Sequence, residues 1–522
     1  MVSIERMDLI AGRFADPERP DGVIESRSPA DLSTVIGTHP WAAAQVGVAV
    51  AAAREAQKAW IARPLGQRLA IVRSAGVAIK RHEDALARGI ALDIGKALWD
   101  AKTEVAAAVA KATITADEGM RLVAGFTPGA AADPRQPSLV SQGQWAGALT
   151  LPGQPVEARF KPIGVLAVYG PFNFPLHLPN GHILPALACG NAVIFKPSEA
   201  APQVAELYAR CLVEAGVPPG VFNLVQGGPA VGHALATHEG VNGILFTGSY
   251  AVGTAIQKAT LGQSKMLALE MGGKNAQLVL ADADEDKALY DALFSAFVSA
   301  GQRCTAVSRL IVEGKPARAD AFADRLARLA GKISIGHPLD DGVFMGPLAT
   351  EGALAKFEAG IAQARREQGI EEVLPSRRLQ PRGLTGCYTT PSVHRVHVRA
   401  NAPYEREELF GPDLAVYHVG SVDEAIAVAN DTDYGLAASV HTKSAVLFEQ
   451  CAARLEAGCI NWNSPTVGAS GRMPFGGLKR SGNFRPAALF STLYCAQPVA
   501  ILRGEPELDR TKLAPGLAWD EG

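Results

Sequence analysis

The 522-residue sequence contains no C-x-x-C pair, and its seven cysteines are an odd number scattered along the chain. That excludes a zinc ribbon or a disulfide framework, and so sparse a use of cysteine fits a reducing compartment, the cytoplasm. Charge of neither sign is in excess: 50 basic side chains face 52 acidic ones. No basic surface therefore marks a nucleic-acid binder or a partner of anionic membranes. The opening "MVSIERMDLIAGRF" lacks a basic stretch followed by an apolar run, so no secretory leader is expected. The histidines supply no metal set, since His177 and His182, or His394 and His397, stand in no H-E-x-x-H frame. The G-x-G-x-x-G fingerprint of dinucleotide-binding turns is absent as well. Residues 162–195 carry no Asp, Glu, Lys or Arg, a window long enough to cross a bilayer. Pro162, Pro171, Pro175, Pro179 and Pro185 interrupt it, and no continuous helix tolerates so many breaks. The window is expected to be a buried strand–loop–helix–strand unit.

What is present is a globular α/β pattern, with 48% hydrophobic and 20% charged residues. Residues 42–125 carry apolar side chains at three- and four-residue spacing, which predicts helices. Residues 126–160 are rich in Pro, Gly and Ser and predict a connector with weak strands. Then "GVLAVYG", "NAVIFKPS", "VFNLVQGG", "GILFTGS" and "MLALEMGG" alternate with helix-compatible segments, as parallel βαβ units do. In such sheets ligands bind at the carboxyl ends of strands, where Asn173, Lys196, Glu199, Ser249 and Glu270 stand. A second alternating block follows, with "AQLVLADA", a helix from Glu285 to about Ser299, a loop bearing Cys304, and "SRLIVEG".

Several of these residues can do chemistry. Cys304, in "SAGQRCTAVSRL", lies beside an arginine just past a helix end, an unusual place for a thiol that would otherwise pack as a small hydrophobe. Glu270 closes an apolar run, where burial raises a carboxyl pKa toward a value useful to a base; pairing with Lys274 is the plainer alternative. Asn173, between two prolines, is either a loop hydrogen-bonder or a donor to a developing oxyanion. "KPSE" sets Lys196 and Glu199 around a turn. It fits a solvated ion pair as well as it fits a nucleotide ribose, whose 2′-phosphate form Glu199 would repel. In "FTGSYAVG", Gly248, Ser249 and Gly253 open a helix, a place that suits a phosphate but equally an ordinary strand-to-helix turn.

The stretches "YGPFNFP", "GNAVIFKPSE", "FTGSYAVG", "LEMGGKN", "GQRCTA", "EELFGP" and "PFGGLKRSG" occur in that order, and together they resemble the aldehyde dehydrogenase superfamily along almost the whole chain. The resemblance implies the fold of that family. Residues 1–138 and 161–270 would form a Rossmann-like NAD-binding domain, 271–481 an α/β catalytic domain, 139–160 and 482–500 a small β extension for homo-oligomerisation, and 501–522 a tail. It implies a Cys304 nucleophile, Glu270 as general base, and Asn173 with the Cys304 backbone N–H as oxyanion hole. Lys196 and Glu199 would hold the adenosine ribose, the Gly248–Gly253 turn with Ser249 the pyrophosphate, and Glu408 the nicotinamide ribose, with Phe410 by the ring. NAD is expected in preference to NADP, no metal, and a homodimer or homotetramer as the assembly. At the ordinary thiol pKa of about 8.5 only a few per cent of Cys304 would be ionised at neutral pH; cleft exposure, the neighbouring base and local donors are expected to make it reactive. The other six cysteines are expected in the core.

Within the family, "GVLAVYGPFNFPLHLPNGHILPAL", "NWNSPTVGAS" and "SGNFRPAA" are most similar to the branch that oxidises an N-succinylated glutamate semialdehyde in arginine breakdown. "GASGRMPFGGLKRSG" departs from that branch beside the aldehyde pocket, which leaves another semialdehyde or an aliphatic aldehyde as the alternative. Arg472 is the candidate contact for a substrate carboxylate, with an ordinary surface arginine as the plainer alternative. A coenzyme-A-acylating relative would lack the carboxylate at Glu270, and a non-catalytic relative would lack Cys304 or Glu270.

Overall fold

Apolar runs without charges become strands covered on both faces. In the computed structural model, which describes residues 7–126, 156–399 and 402–519, Val165–Tyr169 and Ala192–Lys196 are buried at every position. They lie inside a seven-stranded sheet. Its order is Met266–Glu270, Gly243–Thr247, Val165–Tyr169, Ala192–Lys196, Phe222–Leu224, Asp8–Ile10 and Arg13–Ala15. The first five strands are parallel, while the N-terminal hairpin adds antiparallel at the edge. Chain order reverses between Val165–Tyr169 and Gly243–Thr247, and a crevice opens at such a switch point beyond the strands' carboxyl ends. Four helices, Gln45–Ala62, Leu65–Arg81, Glu83–Ile94 and Leu98–Thr113, occupy the region whose periodicity predicts them.

Only Met271–Lys274 separates the end of this sheet from the first strand of a second one. The second sheet runs Ile370–Leu374, Ser392–Val396, Asp413–Val419, Val307–Glu313, Asn275–Val279, Ala437–His441 and Cys459–Trp462. All its pairs are parallel except the first. Connections beyond the carboxyl ends of the first sheet's strands therefore meet loops that enter the amino ends of the second sheet's strands, near the Met271–Lys274 joint. Two further strands, Val156–Pro162 and Ala496–Leu502, pair antiparallel as a separate ribbon. Residues 139–155 of the segment expected to serve assembly lie outside the described residues. Among the described residues no helix is long and apolar enough to cross a membrane.

Candidate active site

The loop bearing Cys304 is held in an unusual backbone. The preceding helix stops at Phe297, earlier than its periodicity suggests, because Ser299 and Ala300 both adopt φ of 54° and Gly301 follows at 70°. A non-glycine residue in that left-handed region costs about 1–3 kcal/mol and persists only where its surroundings enforce it. Here they do. A Cβ on Gly301 would lie 2.2 Å from the Gly411 carbonyl oxygen, Ser299 Oγ donates to Asp100 Oδ2 at 2.6 Å, and Gln302 Oε1 accepts from the Ala349 N–H at 3.0 Å. Arg303 does not reach for a substrate. Its guanidinium pairs with Asp100 at 2.6 Å, donates from Nε to Ser299 Oγ at 2.9 Å and lies over the Phe174 ring. Past this anchor, Cys304 is partly exposed, and Asn275 Nδ2 donates to its carbonyl and to that of Ala306 at 2.8 Å each.

The Asn173 loop is fixed from the opposite side. Glu104 and Lys96, both inaccessible to solvent, pair at 2.6 Å. The second carboxylate oxygen of Glu104 accepts from the Leu176 and His177 N–H groups at 3.0 and 3.1 Å. Lys96 Nζ lies 3.6 Å from the centre of the Phe174 ring, so Phe174 is gripped by Lys96 and Arg303 together. Its neighbour Asn173 is buried and donates from Nδ2 to the Gln302 carbonyl at 2.8 Å. The amide has a second N–H to offer.

Glu270, at the end of its strand, is 4% exposed and its Oε2 has no hydrogen-bond partner among the described residues. Burial drives its carboxyl well above the usual range, opposed only by the Gly477 N–H. Lys274 does not neutralise it: Lys274 Nζ donates instead to the Tyr404 and Glu407 carbonyls at 2.8 Å each. The Cys304 thiol is pushed up to about 12, by burial first and then by the carboxyls of Glu408 and Glu270. Burial thus favours the protonated form of both groups, and Arg303, committed to Asp100, opposes this only weakly at the sulfur. The structure corrects one expectation, for Cys459. Cys189, Cys211, Cys387, Cys451 and Cys495 are buried, as core cysteines should be, but Cys459 is partly exposed. Burial raises its thiol, the Gly476 N–H opposes this, and Glu270 adds to the rise, so Cys459 belongs to the surroundings of Glu270 and not to the core.

The crevice at the switch point can hold a dinucleotide. Lys196 ends the strand Ala192–Lys196, with Nζ on the Pro197 carbonyl at 2.8 Å and 3.6 Å from Glu199. A Cβ on Gly228 would come within 3.4 Å of Glu199 Oε1, so a side chain there would crowd the carboxylate. Ser249 is the N-cap of Tyr250–Ala259, its hydroxyl accepting from the Val252 N–H, and is exposed at the helix N-terminus beside Gly248. Gly253 turns inward. A Cβ there would meet Met271 Sδ at 2.5 Å and its N–H donates to the Ser249 carbonyl at 3.0 Å, so it allows close helix packing and offers no free donor. Across the cleft Glu408 Oε1 accepts from the Gly273 N–H at 2.9 Å, and a Cβ on Gly272 would overlap Glu408 Oε2 at 2.1 Å. Burial raises the Glu408 carboxyl to about 7, against the Gly273 N–H and the charges of Lys356 and Lys274. Phe410, at φ of 55°, packs edge-on against Phe172 with centroids 5.7 Å apart. Arg472 is exposed and holds Glu118 at 2.8 Å, so its charge is already matched within the protein.

A model of the aldehyde dehydrogenase family matches residues 14–491. The chain belongs to the aldehyde dehydrogenase family. The activity that goes with membership is oxidation of an aldehyde; here Glu270 lies within electrostatic reach of Cys304, and Asn173 is hydrogen-bonded to Gln302, two residues before Cys304. Among similar proteins, the N-succinylglutamate 5-semialdehyde dehydrogenase of Ectopseudomonas mendocina is 41% identical over 95% of this chain and 96% of its own. That of Chromobacterium violaceum is also 41% identical, over 94% of this chain and 95% of its own. A betaine aldehyde dehydrogenase from Staphylococcus aureus, solved in complex with NAD+, superposes with a TM-score of 0.88 at 27% identity, covering 97% of both chains. Lys96, Asp100, Glu104, Lys274 and Asn275 were not picked out as site residues from the sequence. The one signal available was polarity inside otherwise apolar elements, such as Asn275 opening a fully buried strand.

Proposed function

We propose that this chain oxidises N-succinyl-L-glutamate 5-semialdehyde to N-succinyl-L-glutamate with NAD, through a thioester on Cys304. The observation that carries the chemistry is the buried Glu270 carboxyl, without a cation partner among the described residues, within electrostatic reach of a thiol whose loop is tied to the Asn173 amide. The substrate rests on the relatives named N-succinylglutamate 5-semialdehyde dehydrogenase.

The dinucleotide fits the crevice at both ends. Lys196 and Glu199 would hold its adenosine ribose, where the Glu199 charge disfavours a 2′-phosphate. Ser249, Gly248 and the helix N-terminus would hold its pyrophosphate, with Gly253 giving that helix its depth. Glu408 would hold the nicotinamide ribose and Phe410 the adjoining ring. When bound, NAD supplies a hydride acceptor. The protein does the rest. Cys304 passes its proton to solvent water as Sγ bonds to the aldehyde carbon, and the oxyanion is met by the second N–H of Asn173 and the Cys304 backbone N–H. Loss of hydride from that carbon leaves a thioester on Sγ. Glu270, in its carboxylate form, then takes a proton from water as the water attacks the thioester carbon; the C–S bond breaks, the carboxylate product departs and Sγ recovers a proton. Two moderate steps replace one difficult step.

The same reading divides the chain into an NAD-binding domain (1–138 and 161–270), a catalytic domain (271–481) and a ribbon through which copies assemble as a dimer or tetramer in the cytoplasm. Such a ribbon has an open edge that a partner strand can extend.

A panel of aldehydes assayed with NAD and NADP in parallel tests the substrate and cofactor together. The highest kcat/KM is expected for N-succinylglutamate semialdehyde with NAD. A neutral aliphatic aldehyde turned over more efficiently, or a preference for NADP, would refute the corresponding part.

A further inference from the structure

The segment that carries Glu408 and Phe410 is closed by a contact between its own ends. Tyr404 stands at one end and Asp413 at the other, and the Tyr404 hydroxyl donates to Asp413 Oδ2 at 2.7 Å. Asp413 Oδ1 accepts from Ser392 Oγ at 2.7 Å and lies 2.8 Å from His394 Nδ1. All four side chains are buried. Ser392 and Asp413 are register partners on adjacent parallel strands, and His394 lies two residues along. An aspartate and a histidine in the interior of a parallel sheet replace the apolar residues such positions favour, and a buried charge persists only when it is paired and hydrogen-bonded. Here Tyr404, Ser392 and His394 each have one polar atom on Asp413. Burial alone would raise its carboxyl; His394, Ser392 and Tyr404 reverse that and hold it below the usual range.

The rest of the loop hangs from this closure. Lys274 Nζ binds the Tyr404 and Glu407 carbonyls from beneath, Gly273 N–H binds Glu408, and Gly411 abuts Gly301 in the Cys304 loop so closely that no Cβ fits between them. Phe410 keeps a left-handed φ of 55°, a conformation that must be imposed from outside the residue.

We propose that the Tyr404–Asp413 hydrogen bond, backed by His394, is a clasp that sets Glu408 and Phe410 at the nicotinamide end of the cofactor. Tyr404, Asp413 and His394 are then positioning residues: they touch neither cofactor nor substrate and act through the loop they close. This rests on the assignment of Glu408 to the nicotinamide ribose.

Full-length Tyr404→Phe, which removes only the hydroxyl, and Asp413→Asn, which keeps the shape, test it beside Glu408→Gln as reference. The readouts are NADH affinity by fluorescence, ADP affinity by calorimetry, the separate KM values for NAD and aldehyde, and the Tm. One hydrogen bond of ordinary net worth corresponds to about tenfold in affinity. Tyr404→Phe is expected to weaken NADH binding and raise the NAD KM by about that factor, with ADP affinity and aldehyde KM unchanged; Glu408→Gln should move the same quantities. A purely structural role would lower the Tm of Tyr404→Phe and leave NADH affinity at the wild-type value, which overturns the clasp while Glu408→Gln still responds. Should Glu408→Gln itself leave NADH affinity unchanged, the cofactor assignment fails and the clasp with it. If Asp413→Asn does not fold, Tyr404→Phe decides alone.

Discussion

Asn173 and Gln302 join the two halves of the cleft: the Asn173 amide, on the loop after Val165–Tyr169, donates to the Gln302 carbonyl, two residues before Cys304, at 2.8 Å. This hydrogen bond, beside the stacking of Arg303 on Phe174, ties an amide donor to the loop of a thiol carried by a different sheet. Removing one oxyanion donor typically costs about 10²–10³ in rate. Asn173→Ala is expected to lose that much in single-turnover NADH formation while its NAD affinity holds. Near-wild-type single turnovers would remove Asn173 from the oxyanion hole.

Glu270→Gln should separate the two chemical steps. The variant is expected to release one equivalent of NADH per site and then stall, because an amide cannot take the proton from water. Stability should move as well. The folded-state carboxyl is raised well above its ordinary value, so the folded protein binds a proton that the unfolded chain gives up above about pH 4.5. Its contribution to stability is full below that pH and is lost as pH rises through the folded value. Glu270→Gln should therefore have a higher Tm than the wild type at pH 8, with the difference vanishing toward pH 4. A variant equal to or less stable than the wild type at pH 8 would show that the carboxylate is compensated.

Cys304 tests the electrostatics directly. With its thiol at about 12, alkylation by iodoacetamide in cofactor-free enzyme should keep rising with pH through pH 10. A plateau near the ordinary thiol value of about 8.5 would contradict the carboxyl-lined site. In Glu270→Gln one of the carboxyls is gone, so the curve should shift to lower pH.

How much of this was legible in the chain differs element by element. The charge-free runs ending at Tyr169, Lys196, Thr247 and Glu270 announce buried parallel strands because nothing else accommodates them, and the residues just past their ends fall in the crevice. The helix before Cys304 was legible up to its last turn. Its early stop was not, because Ser299 and Ala300 are ordinary residues locally and are forced to positive φ by Gly411, Asp100 and Ala349, which lie far away in sequence. Lys274 shows the same limit: next to Glu270 in the chain, it looks like an ion-pair partner, but it spends its donors on Tyr404 and Glu407, about 130 positions on. Cys459 reads as one more small apolar residue until the fold sets it beside Glu270.

Glu104 offers a test of the support behind the Asn173 loop. Breaking a buried ion pair by removing one partner costs about 3–5 kcal/mol, because the other charge stays behind. Glu104→Ala would strand Lys96 and free the Leu176 and His177 N–H groups. Urea unfolding should show a loss of that size, with residual activity falling further than the fraction folded. A loss under about 1 kcal/mol would mean that the pair is dispensable.

The central step is acyl transfer to Cys304. Mass spectrometry of Glu270→Gln enzyme, quenched after one turnover with aldehyde and NAD, measures this directly. The expected result is one acyl adduct per chain, on the peptide containing Cys304; NADH formed with the adduct on Cys459 or any other residue, or with none at all, would contradict it.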